Sequence, residues 1–164
     1  MNPPTLSIGA VYIVESLGRQ DLKTGEWLRD EISALVAALN EPLPVYYRTA
    51  RTKRHLMSAL SHIEDEVVAT RRPAILHLET HGAEGGLMLA SEEHVSWAEL
   101  KGPLTRINIA CRLNLLVFVA ACNGEALASI VFAHEPARSG DSSARGTTLN
   151  GPPSRRPTPP STKR

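Results

Sequence analysis

Short apolar segments of strand length alternate with amphipathic segments of helix length along most of the chain. Alternation of strand and helix is typical of parallel sheets, whose strands are joined by right-handed crossovers. The sequence therefore predicts an α/β fold with three α/β/α layers around a mostly parallel sheet. The predicted strands are 6–14, 43–49, 73–80, 86–90 (a short hairpin arm) and 113–121, and the predicted helices are 25–40, 52–71 and 96–110.

The spacing of apolar residues assigns a buried face to each predicted element. Segment 113–121, LNLLVFVAA, is apolar on both faces, which is typical of a strand in the middle of a covered sheet. Pro103 is expected to break or restart the third helix, because proline lacks a backbone N–H. The predicted apolar faces are Trp27, Leu28, Ile32, Leu35, Val36 and Leu39 in the first helix and Leu56, Leu60, Ile63 and Val67 in the second.

The composition divides the chain into a compact part and a tail. Hydrophobic residues make up 42% of the 164 residues, which predicts one domain, placed at residues 1–132. Residues 137–164 are rich in proline, arginine and serine and nearly lack large apolar side chains. Such a segment buries too little apolar surface to offset the entropy lost on ordering, so it is predicted to be disordered.

The net charge and the length of the apolar segments indicate which kinds of partner and which cellular compartment to expect. A net charge of +1 gives no basis for binding nucleic acid or an anionic membrane. The first apolar run is too short to span a bilayer and has no basic leader, so a cytoplasmic protein is expected. In that reducing compartment Cys111 and Cys122 would be free thiols.

Two reactive side chains follow the ends of predicted strands. His81 comes after the strand PAILHLET and Cys122 comes after the strand LNLLVFVAA. If these parallel strands are neighbours, both side chains emerge on one rim of the sheet, where His81 can take the thiol proton of Cys122. Gly82 has no side chain to block a substrate carbonyl, so its backbone N–H and that of Cys122 are candidate oxyanion donors.

The segments LHLETHG and VFVAACNG resemble the paired motifs of the caspase-like cysteine peptidases, including the prokaryotic CHAT-type domains. The segment between them, GGLMLASEEHVSWAELKGPL, is similar to the short hairpin and helix that such domains have there. The resemblance spans residues 5 to 132. It implies that His81 is the general base and acid, Cys122 the nucleophile and Gly82 an oxyanion donor. It also implies a protein or peptide substrate and no metal or organic cofactor.

The chain departs from the family pattern after the cysteine. Caspases proper have Gln-Ala-Cys-Arg-Gly where this chain has AACNG, and nothing in the sequence supports their aspartate specificity. Family members continue with strands and helices that build the substrate pocket, whereas here GEALASIVFAHE leads into the predicted tail. The resemblance therefore implies a caspase-like fold whose C-terminal half is missing.

Two functions follow from this interpretation. The first is a cysteine endopeptidase that is impaired by the truncation and reacts with small thiol electrophiles better than it cleaves peptides. The second is a catalytically inactive fragment that acts as an interaction module. Such a module would bind a protein partner or a second copy of the chain through its open sheet edge.

Other histidines and cysteines have simpler interpretations. His77 lies inside the apolar run of its strand, which is typical of a histidine whose hydrogen bonds are satisfied in the core. Cys111 lies at a helix-to-strand junction and is interpreted as structural. A metal site built from His77, His81, Cys111 and Cys122 is not expected, because the chain has no close ligand pair such as Cys-x-x-Cys.

Three acidic residues near the motifs have open roles. The carboxylates of Asp21, Glu79 and Glu84 could orient His81 or contact a substrate. Most loop carboxylates are simply exposed to water, and that is the default interpretation. The segment GAEGG lacks the lysine and the helix start of a phosphate-binding loop. It is therefore predicted to be a turn into the hairpin.

Overall fold

The computed structural model describes residues 8–121, and these residues form an α/β fold with six strands and three helices. The predicted α/β class is confirmed, and one strand, β5, was not predicted. Residues 122–132 of the predicted domain and the predicted tail, 137–164, lie outside the described residues. The strands are β1 (Ala10–Ser16), β2 (Val45–Thr49), β3 (Ala74–Ala83), β4 (Gly86–Met88), β5 (His94–Ser96) and β6 (Leu115–Ala120), and the helices are α1 (Thr24–Ala38), α2 (Lys53–Thr70) and α3 (Trp97–Ala110).

The pairing of the strands gives a mixed sheet rather than a purely parallel one. β1 pairs in parallel with β2 on one side and with β3 on the other, and β3 also pairs in parallel with β6. The last residues of β3 form an antiparallel ladder with β4, which pairs antiparallel with β5. The parallel pairs are joined through helices, whereas the antiparallel pairs need only short turns. Because β1, β2, β3 and β6 run in the same direction, their carboxyl ends share one rim.

The main core lies between the sheet and helices α2 and α3. β1 is buried along its whole length, as expected for a strand with a parallel neighbour on each side. The predicted apolar face of α2 is confirmed. Its buried residues include Leu56, Leu60, Ile63 and Val67, and those of α3 are Leu100, Leu104 and Ile107.

Helix α3 runs through Pro103 without interruption, so the prediction of a break there was wrong. The helix begins with a capping box, in which the Ser96 hydroxyl accepts the backbone N–H of Glu99 and the Glu99 carboxylate accepts the backbone N–H of Ser96. Proline removes only one hydrogen bond of the helix. The cap and the buried apolar stripe stabilise the helix on both sides of that position.

Helix α1 is less buried than its apolar pattern predicts. Gly25 is its one fully buried residue. Half of the predicted face is partly buried, namely Leu28, Ile32 and Val36, whereas Trp27, Leu35 and Leu39 are exposed. Within residues 8–121, no helix combines the length and the apolar character needed to cross a membrane.

Strand β6 lies at the edge of the described part of the sheet. Among residues 8–121 it pairs with β3 alone. On one face Leu115, Val117 and Val119 pack against the main core, whereas Leu116 and Phe118 on the other face are about half exposed. The predicted cover on both faces is therefore not present within the described residues.

Candidate active site

The carboxyl ends of β3 and β6 lie side by side. Their parallel register ends with Glu79 opposite Ala120. His81 follows Glu79 by two positions, where β3 has left β6 and pairs with β4. Cys122 follows Ala120 by two positions in sequence and lies outside the described residues. The two strands are therefore neighbours, and contact between the side chains of His81 and Cys122 stays a prediction.

The imidazole of His81 projects from the rim and contacts a carboxylate of a distant loop. Its Nε2 lies 2.9 Å from Oδ2 of Asp21, in the loop between β1 and α1. The same oxygen accepts the backbone N–H of Gly18 at 2.6 Å. The hydrogen bond from His81 and then that from Gly18 hold the pKa of the Asp21 carboxyl below its ordinary value. Asp21 is therefore ionised at neutral pH and accepts both hydrogen bonds.

A lysine closes the loop that carries Asp21. Lys23 Nζ donates to the backbone carbonyl of Leu17 at 3.2 Å and to that of Gly18 at 2.7 Å. The same Nζ lies 3.7 Å from Oε1 of Glu15 at the end of β1. The loop is thus bonded to itself and to the sheet, which limits the positions that the Asp21 carboxylate can take.

Glu15 is a buried carboxylate beneath this loop. Its Oε1 accepts the hydroxyl of Tyr47 at 3.0 Å, and its Oε2 accepts the backbone N–H of Gly25 at 3.0 Å. Burial, and then the hydrogen bond to Glu15, raises the pKa of Tyr47 to about 12, so the hydroxyl keeps its proton and donates it. These bonds offset the cost of burying the carboxylate, and they join β1, β2 and the first turn of α1.

Glu79 has a similar role on β3, where it is the register partner of Glu15. Its Oε1 accepts the hydroxyl of Thr24 at 2.8 Å, and its Oε2 lies 2.7 Å from Nε2 of His77. His77 is hydrogen-bonded as predicted, but it is partly buried and lies outside the main core. The carboxylate of Glu79 is therefore bonded to α1 and to His77, and it fixes the start of α1 over the sheet.

Gly82 lies beside the turn that ends β3. It pairs with Leu87 of β4, and its role as an oxyanion donor stays a prediction.

The turn into the hairpin, predicted from GAEGG, is confirmed at Glu84 and Gly85. Gly85 has a φ of 70°, a left-handed conformation that favours glycine. The backbone carbonyl of Glu84 lies 3.1 Å from the Nε2 ring atom of His94.

The other cysteine, Cys111, lies away from the rim. Cys111 is buried at the end of α3, and burial raises the pKa of its thiol. A buried thiol with a raised pKa is unreactive, which agrees with its structural interpretation. In residues 8–121, no group of three histidine, cysteine, aspartate or glutamate side chains is arranged to hold a metal ion.

No protein-family model matches the chain, and no curated protein matches its sequence. The proposal of a function therefore depends on the geometry of the rim.

Of the three acidic candidates near the motifs, Asp21 is the one whose carboxylate contacts His81 in the described structure. The sequence named Asp21 among three carboxylates that could orient His81, with solvation as the default. Its position between the end of a strand and the start of a helix was the available signal, since that loop borders the rim.

Proposed function

We propose that the chain is a caspase-like cysteine endopeptidase domain, with Cys122 as the nucleophile and His81 as the general base and acid. The observation that carries the proposal is the parallel register of β3 and β6, which sets Glu79 opposite Ala120. His81 and Cys122 each follow that pair by two positions. Neighbouring strands lie about 4.8 Å apart, a separation that allows side chains at adjacent ends to reach each other.

In the proposed reaction, the thiol proton of Cys122 passes to the imidazole of His81. The thiolate attacks the carbonyl carbon of the scissile peptide bond, and the backbone N–H groups of Gly82 and Cys122 stabilise the oxyanion. The C–N bond then breaks as His81 donates the proton to the leaving amine, which leaves a thioester on Cys122. Water, deprotonated by His81, hydrolyses the thioester and restores the thiol.

The proposal includes the three-layer arrangement of the caspase-like fold, with helices on both faces of the sheet. Helices α2 and α3 supply the main core on one face. The first turn of α1 bonds Glu15 and Glu79, and these residues alternate along their strands with the core residues Val14 and Leu78. Because alternate residues point to opposite faces, these bonds support a place for α1 on the second face.

Selective labelling of Cys122 tests the proposed function. The full chain is treated with a mixture of peptidyl chloromethyl ketones, and mass spectrometry of the digest quantifies adducts on both cysteines in one sample. We expect rapid modification of Cys122 and none of Cys111, which is buried. A synthetic peptide VAACNGE provides the reference rate. Labelling of Cys122 no faster than that of the free peptide would contradict the proposal.

A second candidate function is supported by the partly exposed face of β6. Leu116 and Phe118 present apolar surface there, and within residues 8–121 β6 is at the edge of the sheet. Apolar surface on an edge strand favours association with another chain. In this case the chain is an inactive interaction module. It would form dimers or bind a partner protein in sedimentation experiments, Phe118→Glu would abolish that association, and Cys122 would react like the free peptide.

A further inference from the structure

The contact between Asp21 and His81 links two segments that are 60 residues apart in sequence. Both groups are partly exposed, and exposed ion pairs contribute little to the free energy of folding. A contribution to stability is therefore a weak explanation for this arrangement. Its position on the rim, at the side chain proposed as the general base, suggests a role in orienting the imidazole.

The carboxylate of Asp21 is held in place before any substrate binds. Its Oδ2 accepts the backbone N–H of Gly18, and Lys23 closes the loop through the carbonyls of Leu17 and Gly18. Gly18 also allows the close approach, since a Cβ atom there would lie 3.0 Å from Oδ2 of Asp21. Such a contact is tighter than nine in ten Cβ contacts in proteins. The loop therefore provides a preformed acceptor at a fixed position.

The identity of the two atoms in contact determines which nitrogen of His81 is free. An ionised carboxylate only accepts hydrogen bonds, whereas a neutral imidazole has one N–H donor and one acceptor nitrogen. Because Nε2 faces Oδ2 of Asp21, we assign the proton to Nε2. The lone pair of Nδ1 is then free to accept a proton.

We propose that Asp21 is the positioning residue of His81: its carboxylate binds Nε2–H and leaves Nδ1 as the basic nitrogen of the ring. This inference rests on the proposed function. Once Nδ1 has accepted a proton, the imidazolium faces the Asp21 carboxylate at hydrogen-bond distance. The same residue therefore fixes the ring orientation before the transfer and stabilises the charge after it.

The tautomer of His81 provides a test that does not depend on the thiol. Long-range ¹H–¹⁵N correlation spectra are recorded in the Cys122→Ala background at about pH 8.5, above the ordinary imidazole pKa of about 6.5. We expect the Nε2–H tautomer when Asp21 is present and a mixture of tautomers in Asp21→Ala. Asp30→Asn, at an exposed carboxylate of α1, is the matched control and should leave the spectrum of His81 unchanged. An Nδ1–H tautomer with Asp21 present would overturn the proposal.

The labelling rate of Cys122 provides the second readout. At pH 6, Asp21→Ala should lower the rate about three- to fivefold, as expected for a partly exposed charge pair, and Asp21→Glu, which keeps a carboxylate, should recover part of it. A wild-type rate in Asp21→Ala, together with a reduced rate in His81→Asn, would overturn this inference and leave the proposed function standing. If His81→Asn also reacts at the wild-type rate, the proposed function itself fails.

Discussion

Replacing His81 by asparagine is expected to lower the alkylation rate of Cys122 about tenfold at pH 6. An ordinary thiol, with a pKa of about 8.5, is less than about 1% ionised at that pH. A thiol that has transferred its proton to a neighbouring imidazole is instead largely in the thiolate form. The gain in thiolate is about a hundredfold, but a thiolate of lower basicity is intrinsically less nucleophilic, which offsets part of the gain. The rate is measured with iodoacetamide and read from the digest by mass spectrometry.

Two controls accompany the His81→Asn measurement. His55→Asn changes an exposed histidine at the start of α2 and should leave the rate of Cys122 unchanged. Cys111 should stay unmodified in every variant, because its burial protects it as long as the chain is folded. Equal rates of Cys122 alkylation in the wild type, His81→Asn and His55→Asn would contradict a role of His81 as the base.

The substitution Leu60→Ala is expected to destabilise the domain by about 2–5 kcal/mol. Leu60 is 0% exposed, lies on α2 and belongs to the main core beneath the sheet. Removing its side chain takes apolar atoms out of that core and leaves a cavity that the surrounding residues fill only in part. The free energy of unfolding is measured by urea denaturation, where the midpoint should fall and the slope should stay unchanged.

The same substitution on α1 is the matched control. Leu35 is 58% exposed, so Leu35→Ala should change the free energy of unfolding by no more than about 0.5 kcal/mol. A large loss of stability in Leu35→Ala would show that the outer face of α1 is covered in solution. A small loss in Leu60→Ala would contradict the core described between the sheet, α2 and α3.

The sequence predicted those helices and strands whose apolar residues recur at a regular spacing and pack against a neighbouring element. The apolar positions of α2, from Leu56 to Val67, recur at helical spacing and are buried, because a single stripe of this kind has one face on which to pack. The parallel pairing of β3 with β6 also agrees with the predicted sheet, since strands joined through helices pair in parallel. In these cases local pattern and long-range packing favour the same structure.

The burial of β6 and α1 could not be predicted from their patterns. An apolar residue such as Phe118 or Leu35 has the same spacing whether its face is covered or exposed, so periodicity alone does not tell how many neighbours an element has. The break expected at Pro103 was wrong for a related reason. The capping box and the buried stripe of α3 outweigh the loss of one hydrogen bond, and that balance depends on tertiary packing.

The sequence narrowed the partner of His81 to three of its 17 acidic residues, Asp21, Glu79 and Glu84, but did not select one of them. The hydrogen bond of Asp21 to His81 depends on the hydrogen bonds of the loop to Gly18 and Lys23 and on the alignment of β1 beside β3. Such contacts depend on the folded backbone, and residue type and spacing do not encode them directly.

The pH dependence of Cys122 alkylation in the unmodified full chain tests the central claim most directly. For a thiol paired with His81, we expect the rate to be near its plateau already at about pH 7, because a neighbouring imidazolium should lower the thiol pKa below about 6, within the range of about 3.5–7.5 known for activated cysteines. In His81→Asn the rise should move to the range of an ordinary cysteine, near about pH 8.5. A rate in the wild type that rises only near that pH, as in the free peptide VAACNGE, would contradict a Cys122–His81 dyad.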